Sequence, residues 1–132
     1  MDTFTIKSSE TDASLVFSQR DGDDFVVEFQ SMQLQVIQPV CGYTDPHGVA
    51  RLFQEAAAHA KPWRGQLCYQ SLEQEFSLSA TCSPLGAVSL VVGFARVGTR
   101  AEWLATATLQ VEFGQLSALA SNARRFFSAV VR

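Results

Sequence analysis

Two-residue alternation near the C-terminal end constrains this chain more than any other feature. Val88, Leu90, Val92 and Phe94 alternate along one stretch, and Trp103, Ala105, Ala107, Leu109, Val111 and Phe113 along the next. That period places each set on one face of a strand. A two-residue connection at Gly98-Thr99, glycine first, suits a type II′ hairpin. It sets Phe94 opposite Trp103, Val92 opposite Ala105, Leu90 opposite Ala107 and Val88 opposite Leu109. The small Ala105 and Ala107 leave a trough between larger neighbours. The period then changes to 3.6: Leu116, Leu119, Ala120, Ala123, Phe127 and Val130 form one helical stripe that can fill it. Phe127 and Trp103 are therefore expected in one core. The adjacent Phe126 is expected at the edge of the stripe or exposed for a partner.

The preceding chain repeats the strand pattern. Phe4 and Ile6 open it, and Leu15 and Phe17 alternate up to Asp21-Gly22-Asp23. A three-residue loop there sets Phe17 opposite Val27 and Leu15 opposite Phe29, with Gly22 left-handed. Phe25, Val27 and Phe29 are apolar at odd positions, whereas Met32, Leu34 and Val36 are apolar at even ones. A change of parity turns side chains to the other face, so a bulge or bend near Gln30-Ser31, or two strands in different sheets, is required. Pro39 ends that run. Asp45-Pro46 reads as a helix start with Asp45 as N-cap, and Val49, Leu52, Phe53, Ala56 and Ala60 form its stripe. Leu67 and Tyr69, then Phe76, Leu78 and Ala80, read as further strands. The expected fold class is α+β: an antiparallel, meander-rich sheet of about six or seven strands, with helices at Pro46–Ala60 and Gln115–Val131.

Composition limits what such a fold could do. With 132 residues, 47% apolar and 17% charged, the chain is expected to form a single domain over residues 1–132. The net charge of −3 argues against general nucleic-acid binding, which needs a basic surface to displace counterions. Charge is uneven: residues 1–30 carry a net of −5 and residues 86–132 a net of +3. No apolar run reaches the roughly 18 residues that span a bilayer, so no membrane partner is expected. The opening residues carry no basic region or long apolar run of an export signal. Cys41, Cys68 and Cys82 are odd in number and widely spaced, which implies free thiols in a reducing cytoplasm.

Motifs for chemistry are sparse. His47 and His59 lie about 18 Å apart on one helix, too far for one zinc ion. Cys41 precedes His47 by six residues without an oxyanion-loop pattern. Asp21, Asp23 and Asp24 lack the downstream glutamate of a calcium loop and read as turn residues. Glu73 and Glu75 share a strand face with no partner in sequence. No catalytic, cofactor-binding or metal-binding residue is assigned. Two groups are candidate partner-binding residues. Trp63 and Arg64, before Gly65, have the composition of an interaction hot spot, or else Trp63 caps the core under the first helix. Asp21, Asp23, Asp24 and Glu28 gather acid around one turn, where a basic protein would associate faster. Arg124 and Arg125 could instead neutralise them.

From Leu52 to Phe127 the order of motifs is L-F-Q-E-A, W-R-G, S-L-E-Q-E-F-S-L, G-A-V-S-L, W-L-A-T-A-T-L, G-Q-L and R-F-F. This order resembles a bacterial family of small uncharacterised proteins, a domain of unknown function, that is in turn distantly similar to WapI-type immunity proteins. Where those immunity relatives tend to carry an acidic residue before the glutamine that opens the last helix, this chain has Gly114 before Gln115. The resemblance implies an intracellular, non-catalytic role. The expected function is accordingly a non-enzymatic protein-binding module, of the immunity type if its partner is a toxin. The alternative is a small-ligand-binding or enzymatic domain with a site assembled from residues distant in sequence.

Overall fold

The computed structural model describes residues 3–43, 45–97 and 101–128. The Gly98-Thr99 loop, Val130 and the expected end of the last helix lie outside them. In chain order the elements are β1 (Thr3–Lys7), β2 (Ser14–Asp21), β3 (Asp24–Gln30), β4 (Gln35–Val40), α1 (Gly48–Ala57), β5 (Leu67–Gln70), β6 (Phe76–Cys82), β7 (Ala87–Val97), β8 (Ala101–Glu112) and α2 (Leu116–Ser128), with a 3-10 turn at Phe113–Gln115.

The strands form two antiparallel four-stranded meanders, β1-β2-β3-β4 and β5-β6-β7-β8. This corrects the expectation of one sheet of six or seven strands, while the α+β class holds. Each meander has one apolar face, and the two faces bury each other. Phe17 of β2 meets Phe76 of β6 edge to face, with ring centroids 5.9 Å apart. Buried side chains of both sheets and both helices form one continuous cluster.

The parity change at Gln30 also has a different origin from a bulge or a change of sheet. The chain reverses there: Ser31–Leu34 is a turn, and β4 returns antiparallel to β3 with Gln30 opposite Gln35. Ser31 closes it by donating its N–H to the Leu34 carbonyl at 2.9 Å. Met32, at the turn, is exposed. Pro39 does not end the run but lies within β4, an edge strand that can spare the N–H.

The β2–β3 register is as expected, with Phe17 opposite Val27 and Leu15 opposite Phe29. Asp21 pairs with Asp24, so the turn is Gly22-Asp23 rather than three residues, and Gly22 is left-handed at φ 62°. In the β7–β8 ladder the register differs by two residues from that expected. Phe94 pairs with Ala105, Leu90 with Leu109 and Val88 with Val111, while Trp103 faces Arg96. A shift of two keeps every side chain on its face. It carries Trp103 beyond the core, to an exposure of 42%. Helix α2 packs instead on α1 and β1, and its Phe126 and Phe127 are both buried, 4.9 Å apart and nearly perpendicular, against Phe17. Phe126 is thus neither exposed nor peripheral.

Helix α1 is shorter than Pro46–Ala60. Its N-cap is His47, and the Asp45 carboxylate instead receives two bonds from Arg51, at 2.6 and 3.1 Å. Leu52, Phe53 and Ala56 face inward, but Ala60 lies past the helix end and is exposed. The helices pack on each other, where Gln54 Nε2 donates to the Ala120 carbonyl at 2.8 Å. Helix α1 also packs on β5 and α2 on β1. One edge strand of each sheet is covered in this way; β4 and β8 lie at the opposite edges.

Candidate functional site

The β2–β3 turn brings acid together. Gln19 (φ 53°) and the irregular register between Ser18 and Asp21 twist the end of the hairpin. Arg20 is thereby directed at α2. It donates to the Phe126 carbonyl at 3.2 Å and to the Gly22 carbonyl at 2.7 Å, and its guanidinium lies 5.5 Å from the centroid of the Phe127 ring. Burial lowers its pKa, opposed by the charge of Asp23. The cation so committed stabilises the helix end, leaving Asp21, Asp23 and Asp24 exposed.

A second segment closes on this turn. The β4–α1 connection passes so near that a β-carbon on Gly42 would overlap the Asp23 carbonyl, so only glycine fits there. Cys41 donates its backbone N–H to Glu75 Oε2 at 3.4 Å. The other Glu75 oxygen accepts the Ser71 hydroxyl, and Ser71 Oγ accepts the Phe76 N–H at 3.0 Å. Asp21, Asp24, Pro39, Cys41 and Glu75 line a cleft of about 380 Å³. Tyr69 is buried nearby, and its phenol is pushed up to about 12 by burial and by the charges of Asp45, Glu75 and Cys41.

Glu28 stands apart from that corner, in mid-strand, roughly 13 Å from Asp24 by the strand rise. Its carboxylate accepts hydrogen bonds from the Gln30 and Gln35 amides, which lower its pKa. Trp63 is buried between His59, stacked at 5.4 Å, and Phe113 at 6.4 Å, while Arg64 is exposed. Among the described residues the indole N–H has no hydrogen-bond partner. The structure therefore brings Asp21, Asp23 and Asp24 together and places Glu28 and Trp63-Arg64 elsewhere. Arg124 and Arg125 are exposed on α2, and Arg125 donates to Asn122. Among the described residues the ion pairs are Arg51–Asp45 and Arg96–Glu102, so the acidic turn is not neutralised by α2.

Sequence reasoning missed the convergence of Cys41 and Glu75 on this turn. Glu75 had no partner in sequence because its partners are a backbone N–H 34 residues away and the Ser71 hydroxyl. Among the described residues no group of three or more His, Cys, Asp or Glu is placed to hold a metal ion, and no helix is long and apolar enough to cross a membrane. Cys41, Cys68 and Cys82 are free thiols.

These elements define a class of α+β protein: two stacked antiparallel meanders with a helix pair covering one edge of each. Within that class, the chain belongs to the family of unknown function (DUF6228), whose model matches residues 6–130. No curated protein and no solved structure matches it.

Proposed function

We propose that this protein is a non-enzymatic protein-binding module that receives a basic surface of its partner at the β2–β3 corner. The observation that carries the reading is the acidic cleft. Asp21 and Asp24 from one hairpin and Glu75 from the other sheet line it together, while the adjacent Arg20 is turned away toward α2. Like charges held this way favour a cationic partner and mainly speed its association. The resemblance to WapI-type immunity proteins makes a toxin the expected partner, in a bacterial cytoplasm. Asp23→Asn with Asp24→Asn tests the reading. Association with a partner captured from the native host should slow, and its salt dependence should flatten, with folding unchanged. An unchanged rate at low salt contradicts it.

A second reading rests on the same cleft. Cys41 of the β4–α1 connection, Tyr69 of β5 and Glu75 of the β5–β6 connection come together from distant parts of the chain, as a site for a small ligand would require. Cys41→Ala separates the two, because it leaves the acidic charge in place: it should abolish small-ligand binding or turnover under the second reading and change protein association little under the first.

A further inference from the structure

Backbone parity along β8 identifies an unpaired edge. Gln110 donates its N–H to Ser8 Oγ at 3.2 Å, and its carbonyl accepts the Ser9 N–H at 2.7 Å. Its backbone thus points away from β7. Because successive residues of a strand alternate where the register is regular, the backbone groups of Leu104, Thr106 and Thr108 point the same way. Among the described residues Gln110 is partnered by the β1–β2 turn, and those three have no backbone partner. The other edges are treated differently. Helices cover β1 and β5, and β4 carries Pro39. Proline, lysine and register shifts are common devices that discourage edge pairing; the β7–β8 register shifts at Glu102, between Trp103 opposite Arg96 and Ala101 opposite Val97, and residues 104–108 have none of these devices.

We infer that the free edge of β8, residues 104–108, is a strand-addition site for an extended segment of a partner protein, alternately apolar and basic at both ends. Donors and acceptors that recur every second residue, roughly 6.8 Å apart, are satisfied together by another extended backbone. The apolar requirement comes from the side chains. Trp103 and Leu104 are 42% and 71% exposed, and the half-buried Ala105 and Ala107 leave room for large side chains on the inner face. The basic ends follow from the clefts at either end of the edge. One, of about 480 Å³, is lined by Asp12, Met32 and Thr108. The other, of about 300 Å³, is lined by Glu73, Glu75, Glu102 and Trp103, with Arg96 already paired to Glu102. A second copy of this chain is a poorer occupant. Antiparallel pairing of two β8 edges about Ala105 would set the Glu73-Glu75-Glu102 end of each copy against Asp12 of the other.

The inference rests on the protein-binding reading but not on the acidic corner. A displayed library of random nine-residue peptides, panned against the full chain, supplies the probe. Enriched peptides should alternate apolar residues between terminal Lys or Arg. They should slow amide exchange at Leu104, Thr106 and Thr108 by at least tenfold. Thr106→Pro removes an outward N–H without touching the β7 ladder, and Leu104→Lys adds a charge at an exposed position; each should lower their affinity at least tenfold. Asp23→Asn with Asp24→Asn should leave that affinity within twofold. The inference is overturned if no peptide is enriched, if enriched peptides leave the β8 amides unprotected, or if the protein without peptide dimerises through those amides. Slowed partner association in the Asp23, Asp24 variant alongside any of these results would retain the protein-binding reading and reject the β8 site.

Discussion

The two ends of the inner aromatic pattern meet different fates. Phe126 and Phe127 occupy the covered side, where α2 lies against β1 and every large ring is buried against another, Phe127 against Phe17 and Phe25. Trp103 has the same inward parity on β8, yet it sits past the last β6 pairing, Phe76 with Phe94, and stays partly in solvent. Alternation assigns a side chain to a face, but what lies over that face decides whether it is core. The difference gives a covered flank that holds the fold and an open flank available for contact.

The largest expected effect breaks the covered side. Phe127→Ala should cost about 3–5 kcal/mol, as for other buried phenylalanines, and Phe126→Ala a comparable amount. Trp103→Ala should cost below about 1 kcal/mol. Urea denaturation of the three variants measures all of these. Similar losses for Trp103 and Phe127 would erase the contrast.

Less is expected from Arg20→Ala, which removes a charged hydrogen bond to the Phe126 carbonyl and a cation over two rings. About 1–3 kcal/mol should be lost, with the end of α2 showing faster amide exchange. A neutral result would mean that the acidic corner and α2 are independent.

Two titrations should give smaller changes. The Tyr69 phenol has a folded pKa raised above its ordinary value of 10.0, to about 12. The folded state therefore holds the proton more tightly, and stability is full below pH 10 and falls as pH rises from about 10 to 12. Tyr69→Phe should flatten this alkaline limb in pH-dependent melting. Glu28 has the opposite sign. Its pKa is depressed by two amide hydrogen bonds, so its small contribution is present above the ordinary carboxylate pKa and is lost as pH falls through the folded value. Glu28→Gln should flatten the acid limb slightly.

Much of the fold was legible in the sequence, and the residues that were not share a cause. Leu15, Phe17, Val27 and Phe29 paired as expected because parity is a local property and the irregularity between Ser18 and Asp21 offsets the shorter turn. The β7–β8 register was not fixed locally, since a shift of two preserves every face. The stacking of two sheets was hidden because Met32–Val36 read as a continuation of β3, when its even parity marked a reversal. At the site, the acidic turn was visible as Asp21-Gly22-Asp23-Asp24. Its junction with Cys41 and Glu75 depends on packing between the sheets, which no spacing encodes. Trp63, with the composition of a hot spot, is core because His59 and Phe113 enclose it.

The contrast between flanks is tested most directly by residue-resolved amide exchange along β8 in the free protein. The account predicts a two-residue rhythm, with Trp103, Ala105 and Ala107 slow because their N–H groups face β7, and Leu104, Thr106 and Thr108 fast because theirs face outward. Uniformly slow exchange from Trp103 to Thr108 would show that the edge is already covered, and would contradict the open flank.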